Sequence, residues 1–176
     1  MAAKYHYDKT VETLSHNELK ALQWAKLEPL LHHVYKTNDF YRRHWDAAGV
    51  DLSKVTSFEA FSSLIPTVEK ADFLADQTAH PPQGTRLSNE IDPADRLEYY
   101  TTSGTSGQGS EIHIQTIRET AEMVKMYSYG FTWAGLKPGD LAVMTLPLTM
   151  MAGGRVEYDG GLGFGLTTLP IGNYEA

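Results

Sequence analysis

Twelve residues, Tyr99-Tyr100-Thr101-Thr102-Ser103-Gly104-Thr105-Ser106-Gly107-Gln108-Gly109-Ser110, carry hydroxyls and glycines and no charged side chain, and they restrict the fold more than any other stretch. Thr101, Thr102, Ser103, Thr105 and Ser106 precede or interleave Gly104 and Gly107. That spacing lets the backbone curl until hydroxyls and main-chain N–H groups converge on one anionic group, which is what a phosphate requires. The same composition fits a flexible linker or a polar hairpin turn. The flanks favour the anion loop: Leu97-Glu98-Tyr99-Tyr100-Thr101 is rich in β-formers, and Glu111-Ile112-His113-Ile114-Gln115-Thr116 alternates apolar and polar, so the loop joins two expected strands.

The residues beyond the loop predict the architecture. Thr116-Ile117-Arg118-Glu119 has the form of a capping box and opens a helix over 117–134, with Ile117, Ala121, Val124, Tyr127, Phe131 and Ala134 as its buried face and Met123 flanking. Gly135 and the turn Lys137-Pro138-Gly139-Asp140 close it and lead into a continuous apolar run from Leu141 to Leu146, the pattern of a buried parallel strand. A short helix over 151–158 and a strand over 166–170 complete the order strand, helix, strand, helix, strand. That order specifies an α/β unit with a mostly parallel sheet and right-handed crossovers. Gly161, Gly163 and Gly165 mark backbone that passes close to a neighbour.

Upstream, the chain is helical. Ser15-His16-Asn17-Glu18 is a capping box, and Leu19, Leu22, Leu27, Leu30, Leu31, Val34 and Tyr35 recur at helical spacing behind it. Pro29 is expected to kink that helix or divide it. A second helix over 40–48 stops at Gly49, Ser57 caps a further turn through Phe61, and Thr67 caps a helix over 68–75. Residues 76–96 look irregular, because Pro81-Pro82-Gln83-Gly84 and Asp92-Pro93 break any period, and Glu90, Asp92, Asp95 and Glu98 suggest a solvated surface. The expected organisation is a helical N-terminal segment over 1–75, an irregular linker over 76–96, and a partial α/β subdomain over 97–176 with its loop at 101–110.

A formal net charge of −7 over 176 residues, without a lysine/arginine stripe, argues against a nucleic-acid partner. With no cysteine there is no disulfide framework, thiolate nucleophile or cysteine-ligated metal. The N-terminus lacks a signal-peptide core and the longest apolar stretch, over 141–152, is too short to span a bilayer, so a cytoplasmic protein without a membrane role is expected. His6, His32, His33 and His44 lack convergent carboxylate spacing, and no metal site is expected from them. His113 reads as a solvent-facing strand residue near the loop; Tyr41, Arg42, Arg43 and Trp45 read as packing beneath the N-terminal helix. Arg155 stands as a lone basic residue in a glycine-rich turn, with anion binding left open.

Two familiar phosphate loops are excluded. Gly104 and Gly109 have Walker spacing, but Ser110 stands where the lysine belongs and a strand comes next instead of a helix. Gly104, Gly107 and Gly109 do not supply the glycine pattern of a dinucleotide-binding turn. The loop instead resembles the phosphate-binding signature of the adenylate-forming enzymes, which run close to Thr-Ser-Gly-Thr-Thr-Gly-x-Pro-Lys between two strands. Within that superfamily the chain resembles the N-terminal portion of the phenylacetate–CoA ligase branch. The matches run in order along nearly the full length: Leu22-Gln23 leading into Tyr35, Phe40-Tyr41-Arg42-Arg43, Ala48-Gly49-Val50, Ile65-Pro66-Thr67-Val68-Glu69-Lys70-Ala71-Asp72, the loop, and Lys137-Pro138-Gly139-Asp140.

The resemblance implies the first portion of an adenylate-forming large domain, in which Ser103, Gly104, Thr105, Ser106 and Gly107 contact the ATP phosphates with Thr102 at the edge. It implies ATP, Mg2+ and CoA in a parent enzyme that converts a small-molecule carboxylic acid to an acyl-adenylate and then an acyl-CoA. Gln108 and Gly109 depart from the lysine or arginine followed by proline that this branch usually carries. The missing charge-assisted contact costs about 1.5 to 3 kcal/mol if it is made in the transition state. Family members continue into strands that hold adenine, an acidic ribose ligand and a C-terminal domain with a catalytic lysine, and the adenine and CoA positions do not fall within these residues. The chain by itself is therefore expected not to adenylate; ATP–pyrophosphate exchange with phenylacetate well above background would defeat that expectation. The competing readings are a non-catalytic nucleotide-binding or interaction module derived from the fold, and an adenylating relative with a non-CoA acceptor. An incomplete sheet also predicts self-association through an exposed edge and a bare apolar face.

Overall fold

The computed structural model describes residues 6–102 and 109–172. In chain order its elements are α1 (Lys9–Glu12), α2 (His16–Thr37), α3 (Asp39–Ala47), a 3-10 turn (Leu52–Lys54), α4 (Phe58–Leu64), α5 (Lys70–Ala79), β1 (Leu97–Thr101), β2 (Ile112–Thr116), α6 (Ile117–Trp133), β3 (Leu141–Met144), α7 (Ala152–Phe164) and β4 (Thr167–Pro170). They divide into two compact units, one comprising residues 14–95 and 109–112 and the other residues 6–13, 96–102 and 113–172.

In the helical unit, Ser15 accepts from the Glu18 N–H while the Glu18 carboxylate accepts from the Ser15 N–H at 2.8 Å, so both partners of the expected capping box are engaged. The helix it opens is continuous for 22 residues and contains Pro29, where the sequence predicts a kink or a division. Pro29 and Ala25, whose carbonyl loses its donor, both lie on the exposed face, where water can take the place of the missing N–H. Leu31, Trp45 and Val55 form the core of this unit, with Trp24, Leu27, Val34, Tyr35, Tyr41, Phe61 and Ile65 packed around them. Tyr35 stacks on Trp45 with ring centroids 6.3 Å apart. The aromatic residues of α3 are thus core packing, and its arginines are paired, Arg42 with Asp39 on the same helix and Arg43 with Asp76 of α5.

Beyond Pro66 the helix begins two residues later than expected and runs four residues further, because Glu69 and Asp72, not Thr67, form its capping box. The irregular stretch after it is tied down by buried polar contacts. Asp76 accepts from the Thr85 N–H at 2.6 Å, the Thr85 hydroxyl at 2.8 Å and Arg43 at 2.8 Å, and the Asn89 N–H reaches the Thr37 carbonyl.

The α/β unit holds two two-stranded sheets, β1 with β2 and β3 with β4. The capping box at Thr116 and Glu119 forms as the sequence predicts and starts α6 directly at the end of β2. The pair β3–β4 is parallel, with Leu141 opposite Thr167 and Val143 opposite Leu169, and α7 is the crossover between them. Alternation turns Met144 inward, buried against α7, and leaves Leu141, Val143 and Leu169 exposed. A strand expected to be buried on both faces is therefore covered on one, because no described element of this unit lies over the other.

α6 and α7 approach closely. The most buried positions of α6 are Thr120, Ser128 and Thr132, whereas Ile117 and Ala134 of the expected apolar stripe are exposed. A Cβ added at Gly160 of α7 would stand 2.7 Å from the Tyr127 Cβ, and one at Gly163 2.9 Å from a Val124 methyl, so these glycines let Tyr127 and Val124 pack against the α7 backbone. Gly161 faces Met144 and Thr168 in the same way, the close passage expected of these glycines. α1 docks through Glu12, which accepts from the Trp133 indole at 2.6 Å.

Candidate functional site

Ser103, Gly104, Thr105, Ser106, Gly107 and Gln108 lie outside the described residues; Thr102 is described and half-buried at the end of β1. The structure shows what holds each limb of the loop.

The incoming limb is β1, anchored in the α/β unit by a polar cluster around Glu98. Its carboxylate accepts from the Tyr100 hydroxyl at 2.6 Å, the Thr120 hydroxyl at 2.6 Å and the Arg155 guanidinium. Gln115 on β2 donates to Thr120 at 2.8 Å and to Tyr100 at 3.2 Å, closing a ring over β1, β2, α6 and α7. The Arg155 guanidinium carbon lies 5.3 Å from the centre of the Tyr100 ring. One residue on, the Thr101 N–H donates to the Met150 carbonyl at 2.9 Å. The Glu98 side chain is only 11% exposed, where the sequence suggests a solvated surface. Arg155 is a residue of α7 and not of a turn, and its anion within the fold is Glu98.

Burial by itself pushes the Glu98 carboxyl up, but the hydrogen bonds from Thr120 and Tyr100 and the charge of Arg155 outweigh it and hold the group below its ordinary value. Burial pushes the Tyr100 phenol up, and the Glu98 carboxylate beside it adds to the shift. Tyr100 therefore stays neutral and donates.

The outgoing limb, residues 109–112, is held within the helical unit. The Ile112 N–H donates to the Gln77 side-chain oxygen at 2.7 Å, the Gln77 amide reaches the Ser110 carbonyl at 3.4 Å, and the Arg86 guanidinium donates to the Ile112 carbonyl. Gly109 adopts φ +107°, a conformation that L side chains avoid, with Leu74 beside it. Gln77 and Arg86 fall in the stretch the sequence marks as irregular, and no local pattern singles them out. His113 is half-buried in β2 rather than solvent-facing. Among the described residues no group of three or more His, Cys, Asp or Glu is placed to hold a metal ion, and no helix is long and apolar enough to cross a membrane.

Solved structures of one ligase share this fold. An open form of 2-hydroxyisobutyryl-CoA ligase in complex with 2-HIB-AMP and CoA superposes with a TM-score of 0.87 at 22% identity, covering 99% of this chain and 39% of that one. A postadenylation-state structure of the same ligase with 2-HIB-AMP gives 0.86, covering 98% and 35%. The fold is accordingly the mixed α/β fold of part of that ligase, with a helical N-terminal segment. In sequence, the chain is similar to an N-terminal portion of the phenylacetate-CoA ligases. It is 28% identical over 165 residues to the phenylacetate-coenzyme A ligase of Thermus thermophilus, covering 94% of the chain, and 24% identical over 164 residues to that of Escherichia coli, covering 92%. It spans about a third of the length of those relatives, 35% of each. No family model matches.

Proposed function

We propose that this chain is the phosphate-binding portion of an AMP-forming acid–CoA ligase of the phenylacetate–CoA ligase kind, acting in the cytoplasm. Thr102, Ser103, Gly104, Thr105, Ser106 and Gly107 wrap the phosphates of ATP accompanied by Mg2+. The parent enzyme joins a carboxylic acid to AMP and then to CoA. The observation that carries this reading is the position of the run: it links β1 to β2 in a chain matched over 94% of its length to a phenylacetate-coenzyme A ligase. The described ends of β1 and β2 fit a loop that must present hydroxyls and N–H groups, since both limbs are fixed by bonds to residues outside the run.

Nucleotide binding tests it. With MgATP at ten times its dissociation constant, native-state binding adds about 1.4 kcal/mol and raises the melting temperature by roughly 3–6 °C for a chain of this size. Ser103→Ala together with Thr105→Ala is expected to remove most of that shift while leaving the ATP-free melting temperature within about 1 °C. An unmoved melting temperature in millimolar MgATP, or a double variant that binds as the parent does, overturns the reading. The exposed outer face of β3 and β4, with Leu141, Val143 and Leu169, also supports self-association of the isolated chain. Sedimentation showing only monomer at high concentration would count against that.

A further inference from the structure

We propose that Gln77 and Arg86 are positioning residues that clamp the outgoing limb of the phosphate loop and so set its affinity for nucleotide, without touching the ligand. The proposal rests on the phosphate-binding reading above. Ile112 is the first residue of β2, and both of its backbone polar groups are met by side chains: the N–H by Gln77 and the carbonyl by Arg86. With its amide on the Ser110 carbonyl and its oxygen on the Ile112 N–H, the Gln77 carboxamide imitates a neighbouring strand's peptide group.

The clamp is built on one helix face. Phe73 and Gln77 are one turn apart on α5, and the Arg86 guanidinium carbon lies 4.4 Å from the Phe73 ring centre, so the helix that bonds Ser110 and Ile112 also supports the arginine that bonds Ile112. Leu74, on the same helix, lies against Gly109. α5 is itself fixed at its start, where the Asp72 carboxylate accepts from the Glu69 N–H at 2.8 Å. A limb at 109–112 left free would have to be ordered when the ligand binds, at a conformational cost. Fixing the point where it re-enters the sheet removes part of that cost before the ligand arrives.

The test is a calorimetric titration of the 176-residue chain and its variants with MgATP, alongside amide exchange at residues 109–112. Gln77→Leu, nearly isosteric but unable to bond, is expected to weaken MgATP about tenfold. The ATP-free melting temperature should stay within about 2 °C, and exchange at 109–112 should accelerate. Gln77→Glu keeps the acceptor for the Ile112 N–H and loses the donor to Ser110, and is expected to fall between the two. If Gln77→Leu lowers the melting temperature but binds MgATP as the parent chain does, Gln77 is merely structural and the proposal is overturned. If Gln77→Leu is too unstable to titrate, parental affinity in Gln77→Glu overturns it instead. Should the parent chain itself not bind MgATP, the phosphate-binding reading is what fails; unchanged exchange at 109–112 in Gln77→Leu would separately show that no clamp exists.

Discussion

Replacing Gly154 with alanine is expected to lower the stability of the α/β unit by about 3 kcal/mol, a fall of roughly 6–12 °C in melting temperature. Gly154 is buried in the first turn of α7, and a Cβ there would stand 2.1 Å from the Pro147 carbonyl oxygen and 2.9 Å from its carbon. Those are backbone atoms, so no rotamer change relieves the clash; either α7 or the segment leaving β3 must move. Moving α7 also disturbs Val156, among the most buried side chains of the chain, and the contacts of Gly160 with Tyr127. The neighbouring Gly153 is the control. Its added Cβ would meet only side-chain atoms, the nearest at 3.7 Å, in ordinary contact. Gly153→Ala is expected to be neutral or stabilising by up to about 1 kcal/mol, since alanine restricts the unfolded chain and favours the helix. Thermal melts of the two variants check the contrast, and equal melting temperatures would refute the packing argument.

That pair of glycines also marks what the sequence can tell. Both stand in the same glycine-rich run, and nothing local distinguishes the one facing a backbone carbonyl from the one in ordinary contact with side chains. The capping boxes at Ser15 and Thr116 are legible, because they fix helix starts by chemistry that a short window contains, whereas at α5 two local caps competed and Glu69 with Asp72 prevailed over Thr67. The order of strands and helices from β1 to β4 is legible for the same reason, and the known ligase structures share the fold. Burial is not. The run from Leu141 to Met144 has the composition of a doubly covered strand, but covering depends on what other elements lie above it. Nor are the anchors of the loop legible. Glu98 and Arg155 are 57 residues apart, and Gln77 and Ile112 are 35 apart, so each pairing depends on tertiary structure. A glutamate among acidic neighbours reads as solvated surface until the fold brings Thr120, Tyr100 and Arg155 around it.

Glu98 is where that long-range chemistry has its largest expected effect. Glu98→Ala would strand the Tyr100 hydroxyl, on a residue 3% exposed, without its acceptor, and would leave the Thr120 hydroxyl, on one 7% exposed, only its long 3.4 Å bond to the Thr116 carbonyl. Arg155, with its side chain 35% exposed, can turn toward water and lose less. One stranded hydroxyl, one weakened hydroxyl and a broken ion pair together cost about 3 kcal/mol. Glu98→Gln keeps an acceptor for the hydroxyls but sets an amide against the guanidinium, and is expected to cost about half as much. The two proteins should also respond differently to acid. The folded carboxyl lies below its unfolded value, so the unfolded chain takes up the proton first; the stabilisation is complete above the unfolded value and disappears as the pH falls through the folded one. The stability gap between parent and Glu98→Gln should therefore be constant near neutral pH and narrow on the acid side of the ordinary glutamate range. Urea unfolding of both proteins between pH 7 and pH 3 measures that gap directly, and curves that stay parallel throughout would mean that Glu98 holds β1 through shape alone, with its charge contributing nothing.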